Sequence, residues 1–208
     1  MAKRVAEKLL QIKAIKLEPA NHFTWASGWY SPIYCDNRKT LSYPEVRTFI
    51  KESFVKVINE NFKDFDVIAG VATGAIAQGA LVADALNKPF VYVRAQAKDH
   101  GMGNQIEGVV EKGQRVLVVE DLISTGGSSL NAVHTLRDAG CEVVGMVSIF
   151  TYNFRKAVNA FEEANVKLFT LSNYDALIEK AIENGYVSEA DLDLLKEWRI
   201  DPANWKKN

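Results

Sequence analysis

Apolar positions recur in two different rhythms along this chain. Val5, Leu9, Ile12 and Ile15 fall near helical spacing and predict a helix over residues 2–15. Beyond residue 44, short apolar runs alternate with longer stretches of helical periodicity. The runs predict strands over residues 66–69, 89–93, 115–119, 142–150 and 166–170, and the stretches predict helices over residues 44–61, 75–86, 128–139, 154–164, 174–184 and 188–198. This alternation predicts an α/β fold in which helices cover both faces of a central parallel sheet.

Between the first helix and residue 44, the apolar positions show neither helical spacing nor the short apolar runs typical of buried strands. Residues 20–40 are aromatic, polar and rich in turn-forming residues, and they predict a small flap of short strands outside the main sheet. Ser42 and Glu45 have the spacing of a capping box, and Pro44 stands near the first helical position. These residues predict where the helix over residues 44–61 begins.

The most informative chemistry lies at residues 116–129, which read Val-Leu-Val-Val-Glu-Asp-Leu-Ile-Ser-Thr-Gly-Gly-Ser-Ser. A predicted strand ends at Glu120 and Asp121, and a small, hydroxyl-rich turn then opens a helix. Open α/β sheets bind ligands beyond the carboxyl ends of their strands, and the amino end of a helix favours an anion. The pattern predicts a phosphate site with sugar-binding carboxylates beside it. The alternative interpretation is a core strand followed by an ordinary polar turn. The sequence contains neither of two other phosphate-binding motifs, the Walker A loop and the Gly-x-Gly-x-x-Gly fingerprint.

These residues resemble the diphosphoribose-binding signature of the type I phosphoribosyltransferases. The resemblance implies that Glu120 and Asp121 hold the ribose hydroxyls of 5-phosphoribosyl-1-diphosphate (PRPP), with Asp121 in a catalytic role. It also implies that the following loop cradles the 5′-phosphate of PRPP. The residues of that loop are Leu122, Ile123, Ser124, Thr125, Gly126, Gly127 and Ser128.

A second segment, residues 94–108, is basic at first and glycine-rich afterwards. Taken alone it predicts either a lid that closes over an anionic ligand or a solvated loop. Its sequence Lys98-Asp99-His100-Gly101 resembles the catalytic loop of the orotate phosphoribosyltransferases. The resemblance implies that Arg94, Lys98 and His100 contact the diphosphate of PRPP, Lys98 catalytically, and that the loop reaches into a neighbouring subunit. A homodimer with shared active sites is therefore expected. Ala95 stands where many members carry a second Lys.

A third segment, Ala72-Thr73-Gly74, follows a predicted strand and opens a helix. Its small residues allow backbone N–H groups to face a diphosphate, although tight strand-to-helix packing is the alternative. It resembles the pyrophosphate loop of the same family. The resemblance implies that Ala72, Thr73 and Gly74 bind the diphosphate, and it places a cis peptide near Ala72-Thr73.

Residues 23–38 resemble the hood that closes over the pyrimidine in orotate phosphoribosyltransferases. The resemblance implies orotate binding by Phe23, Thr24 and Ser124. Two positions depart from the pattern: Ala26 stands where many members have Lys, and the segment containing Tyr152 lacks the Arg that many members carry there. We therefore expect backbone N–H groups and Ser124 to bind the base carboxylate.

Composition narrows the class of protein. The 208 residues include 25 basic and 26 acidic side chains, so no overall positive charge attracts nucleic acid. No apolar run approaches the roughly 20 residues of a membrane span, and the first residues predict a helix rather than a signal peptide. Cys35 and Cys141 are too few for a disulfide framework or a zinc site, which favours a reducing cytoplasm.

The resemblance implies one activity. The chain is expected to be a single domain over residues 1–208, with its hood at about 20–40 and its mobile catalytic loop at about 95–113. It would transfer the phosphoribosyl group of PRPP to orotate, giving orotidine 5′-monophosphate and diphosphate, in the de novo synthesis of UMP. Mg²⁺ is expected to be held by substrate oxygens and water rather than by a protein cage. The alternatives are transfer to another base, such as a purine, or a regulator that senses PRPP.

Overall fold

A computed structural model gives the fold of this protein and describes residues 1–96 and 104–206. The strands are β1 (Ile15–Leu17), β2 (Phe23–Thr24), β3 (Tyr30–Ser31), β4 (Ile33–Cys35), β5 (Val67–Val71), β6 (Phe90–Val93), β7 (Ile106–Glu107), β8 (Arg115–Ile123), β9 (Glu142–Thr151) and β10 (Leu168–Asn173). The α-helices are α1 (Ala2–Gln11), α2 (Pro44–Asn61), α3 (Ile76–Ala85), α4 (Gly127–Asp138), α5 (Arg155–Glu163), α6 (Tyr174–Glu183) and α7 (Leu192–Ile200), and 3-10 turns cover Asn37–Ser42 and Glu189–Asp191.

The main sheet has six strands in the order β10-β9-β8-β5-β6-β7. The pairs β10–β9, β9–β8, β8–β5 and β5–β6 are parallel, and β7 adds an antiparallel edge to β6. The carboxyl ends of the parallel strands therefore meet along one edge of the sheet. The predicted α/β fold with a parallel sheet is confirmed.

The central strands are buried on both faces, which explains their nearly continuous apolar runs. In β8, Leu117 and Val119 belong to a core that also includes residues of α1, α2, α6 and α7. The alternating residues Val116 and Val118 belong to a second core with residues of α4 and α5. Helices on both faces thus fix the sheet and hold its carboxyl edge in place. Among the described residues, no helix combines the length and apolarity needed to cross a bilayer.

Strand pairing corrects several predicted boundaries. The first helix ends at Gln11 rather than at residue 15, because Ile15 pairs with Cys35 in an antiparallel ladder. The last strand spans Leu168–Asn173 rather than residues 166–170, because it pairs with the carboxyl half of β9. Strand β7 was not predicted at all.

The predicted capping box is also wrong. Helix α2 does begin at Pro44, but its N-cap is Tyr43, and no side chain caps the helix. Ser42 instead ends the 3-10 turn Asn37–Ser42, which leads directly into α2.

Strand β8 extends further than predicted. It continues through Glu120 and Asp121 to Ile123, because Leu122 and Ile123 stay in register with Phe150 and Thr151 of β9. The paired acids therefore lie on an ordered strand rather than after its end, which fixes their backbone.

The hood is built from two short antiparallel pairs, β1–β4 and β2–β3. An aromatic cluster joins it to the body: the Trp198 ring, fully buried, lies 5.7 Å from the Trp25 ring and 5.5 Å from the Tyr174 ring. Trp198 Nε1 also donates to the Tyr30 carbonyl oxygen at 3.2 Å. Trp198 thus packs against α6 and also anchors the hood.

Candidate active site

Two cavities open at the carboxyl edge of the sheet. The first has a volume of about 470 Å³ and a wall rich in charged, hydroxyl and glycine residues. Its wall includes Glu120, Asp121, Leu122, Ser124, Thr125, Gly126, Gly127, Ser128, Ala72, Thr73, Gly74, Asp36 and Arg38. The structure therefore brings together two segments that the sequence analysis treated separately, the loop after β5 and the β8–α4 turn.

The second cavity has a volume of about 490 Å³ and lies under the hood. Its wall is mostly aromatic and small: Thr24, Trp25, Ala26, Ser27, Trp29, Tyr34, Tyr152 and Lys156 contribute to it. The Trp25 and Trp29 rings lie nearly parallel, with centroids 6.4 Å apart. A flat, polar ring fits such a wall, because aromatic side chains pack favourably against planar π-systems.

The two cavities share part of their walls. Cys35, Leu122, Ser124 and Thr125 line both. A ligand in the anion-binding cavity and a flat ligand under the hood therefore meet at this shared wall, as the reactants of a group transfer must.

The acidic pair divides into an anchored and a facing carboxylate. Glu120 is 4% exposed, and it accepts hydrogen bonds from the Asp121 amide at 2.9 Å and the Ser129 hydroxyl at 2.7 Å. Burial, together with the neighbouring Asp121 charge, raises the pKa of Glu120 well above its usual range. Burial also raises the pKa of Asp121, while Glu120 and the Arg38 guanidinium act in the opposite direction. The pKa of Asp121 is therefore raised less than that of Glu120.

The turn after β8 has the backbone of an anion site. Gly126 adopts φ +85° as the N-cap of α4, and a Cβ there would meet the Phe161 ring at 3.1 Å. This positive φ and close contact explain why glycine is needed at Gly126. The amino end of α4 then faces the cavity with Gly127 and Ser128. Ile123 is the exception in this segment, because its side chain is fully buried and does not line the cavity.

The loop after β5 carries the expected cis peptide. The bond between Ala72 and Thr73 is cis, which confirms that expectation. The Ala72 amide donates to the Val93 carbonyl oxygen at 2.8 Å, so the loop is tied to β6. Gly74 lies directly against the Asp121 carboxyl group, where no side chain could fit without displacing it.

The basic segment is described only in part. Arg94 lies outside the walls of both cavities, and its Nη1 is 3.7 Å from Glu107 Oε1. Lys98 and His100 fall outside the described residues. Ala95, where many family members carry Lys, is exposed.

The hood residues are only partly where the sequence analysis put them. Thr24 lines the second cavity, but Phe23 does not, and its ring packs instead against Tyr34 with centroids 5.7 Å apart. Asn37 was missed: its Nδ2 donates to the Asp121 carbonyl oxygen at 2.7 Å and ties the hood to β8. The two partners are 84 positions apart in the sequence, so no local pattern could have predicted this bond.

Lys156, on α5, was also missed as part of the second cavity. It stands in a helical pattern where Lys usually marks a solvated face, and only the geometry of the β9–α5 turn places it at the hood.

A metal ion would find few protein ligands here. Among residues 1–96 and 104–206, no group of three or more His, Cys, Asp or Glu side chains is arranged to hold one. Of the acidic pair, Asp121 is the one open to a ligand in the first cavity, because Glu120 already accepts two protein hydrogen bonds. Asp36, which also lines this cavity, is paired with Arg38. This donor set suits Mg²⁺ that keeps its waters and binds chiefly to phosphate oxygens.

Comparison with known proteins assigns this site to a family. The sequence-family model of the phosphoribosyl transferase domain matches residues 42–177 of this chain. The orotate phosphoribosyltransferase of Phocaeicola vulgatus is 60% identical over 206 residues, which are 99% of this chain and 97% of that protein. This chain belongs to the orotate phosphoribosyltransferase family. The resemblance noted in the sequence is thereby confirmed.

Solved structures of the family have the same fold. The orotate phosphoribosyltransferase of Aeropyrum pernix superposes with a TM-score of 0.77 at 27% identity, over 88% of this chain and 99% of that one. The UMP synthase of Leishmania donovani superposes with a TM-score of 0.79 at 26% identity, over 94% of this chain but only 42% of that one. This chain therefore matches less than half the length of the UMP synthase.

Proposed function

We propose that this member of the family transfers the 5-phosphoribosyl group of PRPP to orotate, giving orotidine 5′-monophosphate and diphosphate, in pyrimidine biosynthesis. The observation that carries the proposal is the pair of joined cavities. One has the hydroxyls, helix amino end and carboxylate that suit a phosphorylated sugar, and the other has the aromatic wall that suits a flat base. The relatives' names supply the identity of the base.

The reaction is a substitution at the anomeric carbon of the ribose. The bond from that carbon to a diphosphate oxygen breaks, a bond to N1 of orotate forms, and the N1 proton is lost. Positive charge develops on the ribose as diphosphate leaves, and the Asp121 carboxylate, which lines this cavity, would stabilise it. No side chain has to act as nucleophile, so positioning and charge supply the catalysis.

The remaining binding groups are assigned by element. Thr125, Gly126, Gly127 and Ser128, with the backbone of Ser124, would hold the 5′-phosphate at the amino end of α4, and Ala72, Thr73 and Gly74 would face the diphosphate. The Ser124 hydroxyl, at the wall that both cavities share, would donate to orotate. Arg94, Lys98 and His100 would supply positive charge to that diphosphate. Mg²⁺ bound to PRPP oxygens would neutralise further charge on the leaving group.

We further propose that the chain acts as one phosphoribosyltransferase domain in a homodimer with shared sites, because the family's catalytic loop works across subunits. Cys35 and Cys141 are both free thiols, which supports a reducing cytoplasm as its location.

A spectrophotometric assay tests the activity. Protein, PRPP, Mg²⁺ and orotate are mixed, and the loss of the ultraviolet absorbance of orotate is followed. Adenine, hypoxanthine and uracil serve as control bases. Turnover of orotate but of none of the control bases supports the proposal. Binding of PRPP without turnover of any base would point to a PRPP-sensing regulator.

A further inference from the structure

The carboxylate of orotate needs a partner that this chain does not supply at the usual places. Ala26, on the hood, has no polar side chain, although many members of the family carry Lys there. Tyr152 follows β9, and its ring is 1% exposed and packs against the Trp25 and Phe154 rings at 5.3 and 5.2 Å. Neither residue offers a positive charge to an anion.

A different residue supplies that charge in the wall of the second cavity. Among the described residues that line it, Lys156 alone is charged, and the rest are neutral aromatic, aliphatic, hydroxyl or thiol side chains. Lys156 is the second residue of α5, so the positive end of that helix lies at the same wall. Its side chain is exposed, and no ion pair joins it to a carboxylate among the described residues. It is therefore free to meet a ligand.

We propose that Lys156 binds the carboxylate of orotate and thereby replaces the cations missing at Ala26 and Tyr152. The inference rests on the proposed function, since it assigns a residue to the base of that reaction. It makes Lys156 a specificity residue: a base without a carboxylate gains nothing from it. The long, flexible Lys stem would let the ammonium group reach a carboxylate in this cavity, while the aromatic wall would hold the ring.

Lys156→Met tests the assignment, because methionine keeps an unbranched stem and removes the charge. Arg155→Gln is the matched control: Arg155 is the neighbouring exposed cation on the same helix but does not line the cavity. We expect Lys156→Met to raise the KM for orotate about tenfold or more, in the range for losing a hydrogen bond between charged groups. The KM for PRPP should stay within about twofold, and Lys156→Arg should restore most of the orotate affinity.

A binding measurement separates the carboxylate from the rest of the ligand. Orotidine 5′-monophosphate and uridine 5′-monophosphate differ only in that group, so calorimetric titration of both should show Lys156→Met weakening the first and leaving the second unchanged. Equal weakening of both nucleotides, or an unchanged orotate KM in an otherwise active Lys156→Met enzyme, overturns the assignment. Failure of the wild-type chain to use orotate overturns the proposed function instead.

Discussion

Gly74 is where a single methyl group should disturb the catalytic carboxylate most directly. A Cβ built on Gly74 lies 2.6 Å from Asp121 Oδ1, and the other carboxyl atoms are closer still. The shortest ordinary van der Waals contact for such an atom is 3.4 Å. In Gly74→Ala, the Asp121 carboxylate or the loop must therefore move by at least about 0.8 Å, the shift that Oδ1 alone requires, because the closer carboxyl atoms need more.

The size of the effect follows from that displacement. Overpacking of this kind costs about 1–3 kcal/mol, which lowers the Tm of a domain of this size by roughly 2–12 °C. Misplacing a catalytic group by about 1 Å costs about 10²-fold in rate. We expect Gly74→Ala to lose stability and turnover together, because one contact controls both.

Thermal unfolding and orotate turnover, measured on the same preparations, check this prediction. Gly127→Ala is the stability control, since a Cβ there meets nothing within 4 Å and it should unfold near the wild-type temperature. In an Asp121→Ala background the clash disappears, so Gly74→Ala should then cost almost no further stability. Wild-type Tm and turnover in Gly74→Ala, or an equal loss of Tm in both backgrounds, would show that the contact between Gly74 and Asp121 does not control the site.

Three further predictions concern the polar and charged side chains of the site. Asp121 must be ionised to act, so kcat/KM should fall as the pH drops through its raised pKa. Arg38→Gln removes a group that lowers this pKa, so the acidic fall of the pH–rate profile should move to higher pH. An unchanged profile would contradict the role of Arg38. Ser124→Ala should raise the KM for orotate more than that for PRPP, and an unchanged orotate KM removes Ser124 from the base site. Lys98→Ala and Asp121→Asn should each lose about 10²-fold or more in turnover. Mixing and re-associating these two variants should restore part of the activity if sites are shared between subunits, whereas no recovery, or a monomer in solution, excludes sharing.

The sheet and its phosphate loops could be predicted from the sequence because their determinants are local. Apolar runs and helical periodicity mark β8 and α4, and the small residues between them mark a turn that approaches a ligand. The cis bond at Ala72-Thr73 followed from a contiguous family motif. Such features depend on residues that are neighbours in the chain, so they can be predicted from a single sequence.

The walls of the site depend on contacts between distant segments, and those escaped prediction. Asn37 reaches Asp121 across 84 residues, and β8 continues past the acids only because β9 pairs with it. Phe23 has an aromatic ring that could bind a base, yet this ring packs against Tyr34 and does not line the second cavity. Lys156 looks like a solvent-facing residue of an amphipathic helix until α5 is placed beside the hood.

If this site joins the phosphoribosyl group to orotate in particular, the kcat/KM for orotate must be far higher than that for uracil. A site with donors for the carboxylate leaves them unpaired when uracil binds, and such groups are costly. We predict a preference for orotate of at least about 10³-fold. Comparable values for uracil, or faster transfer to a purine, would show that the base site does not select orotate.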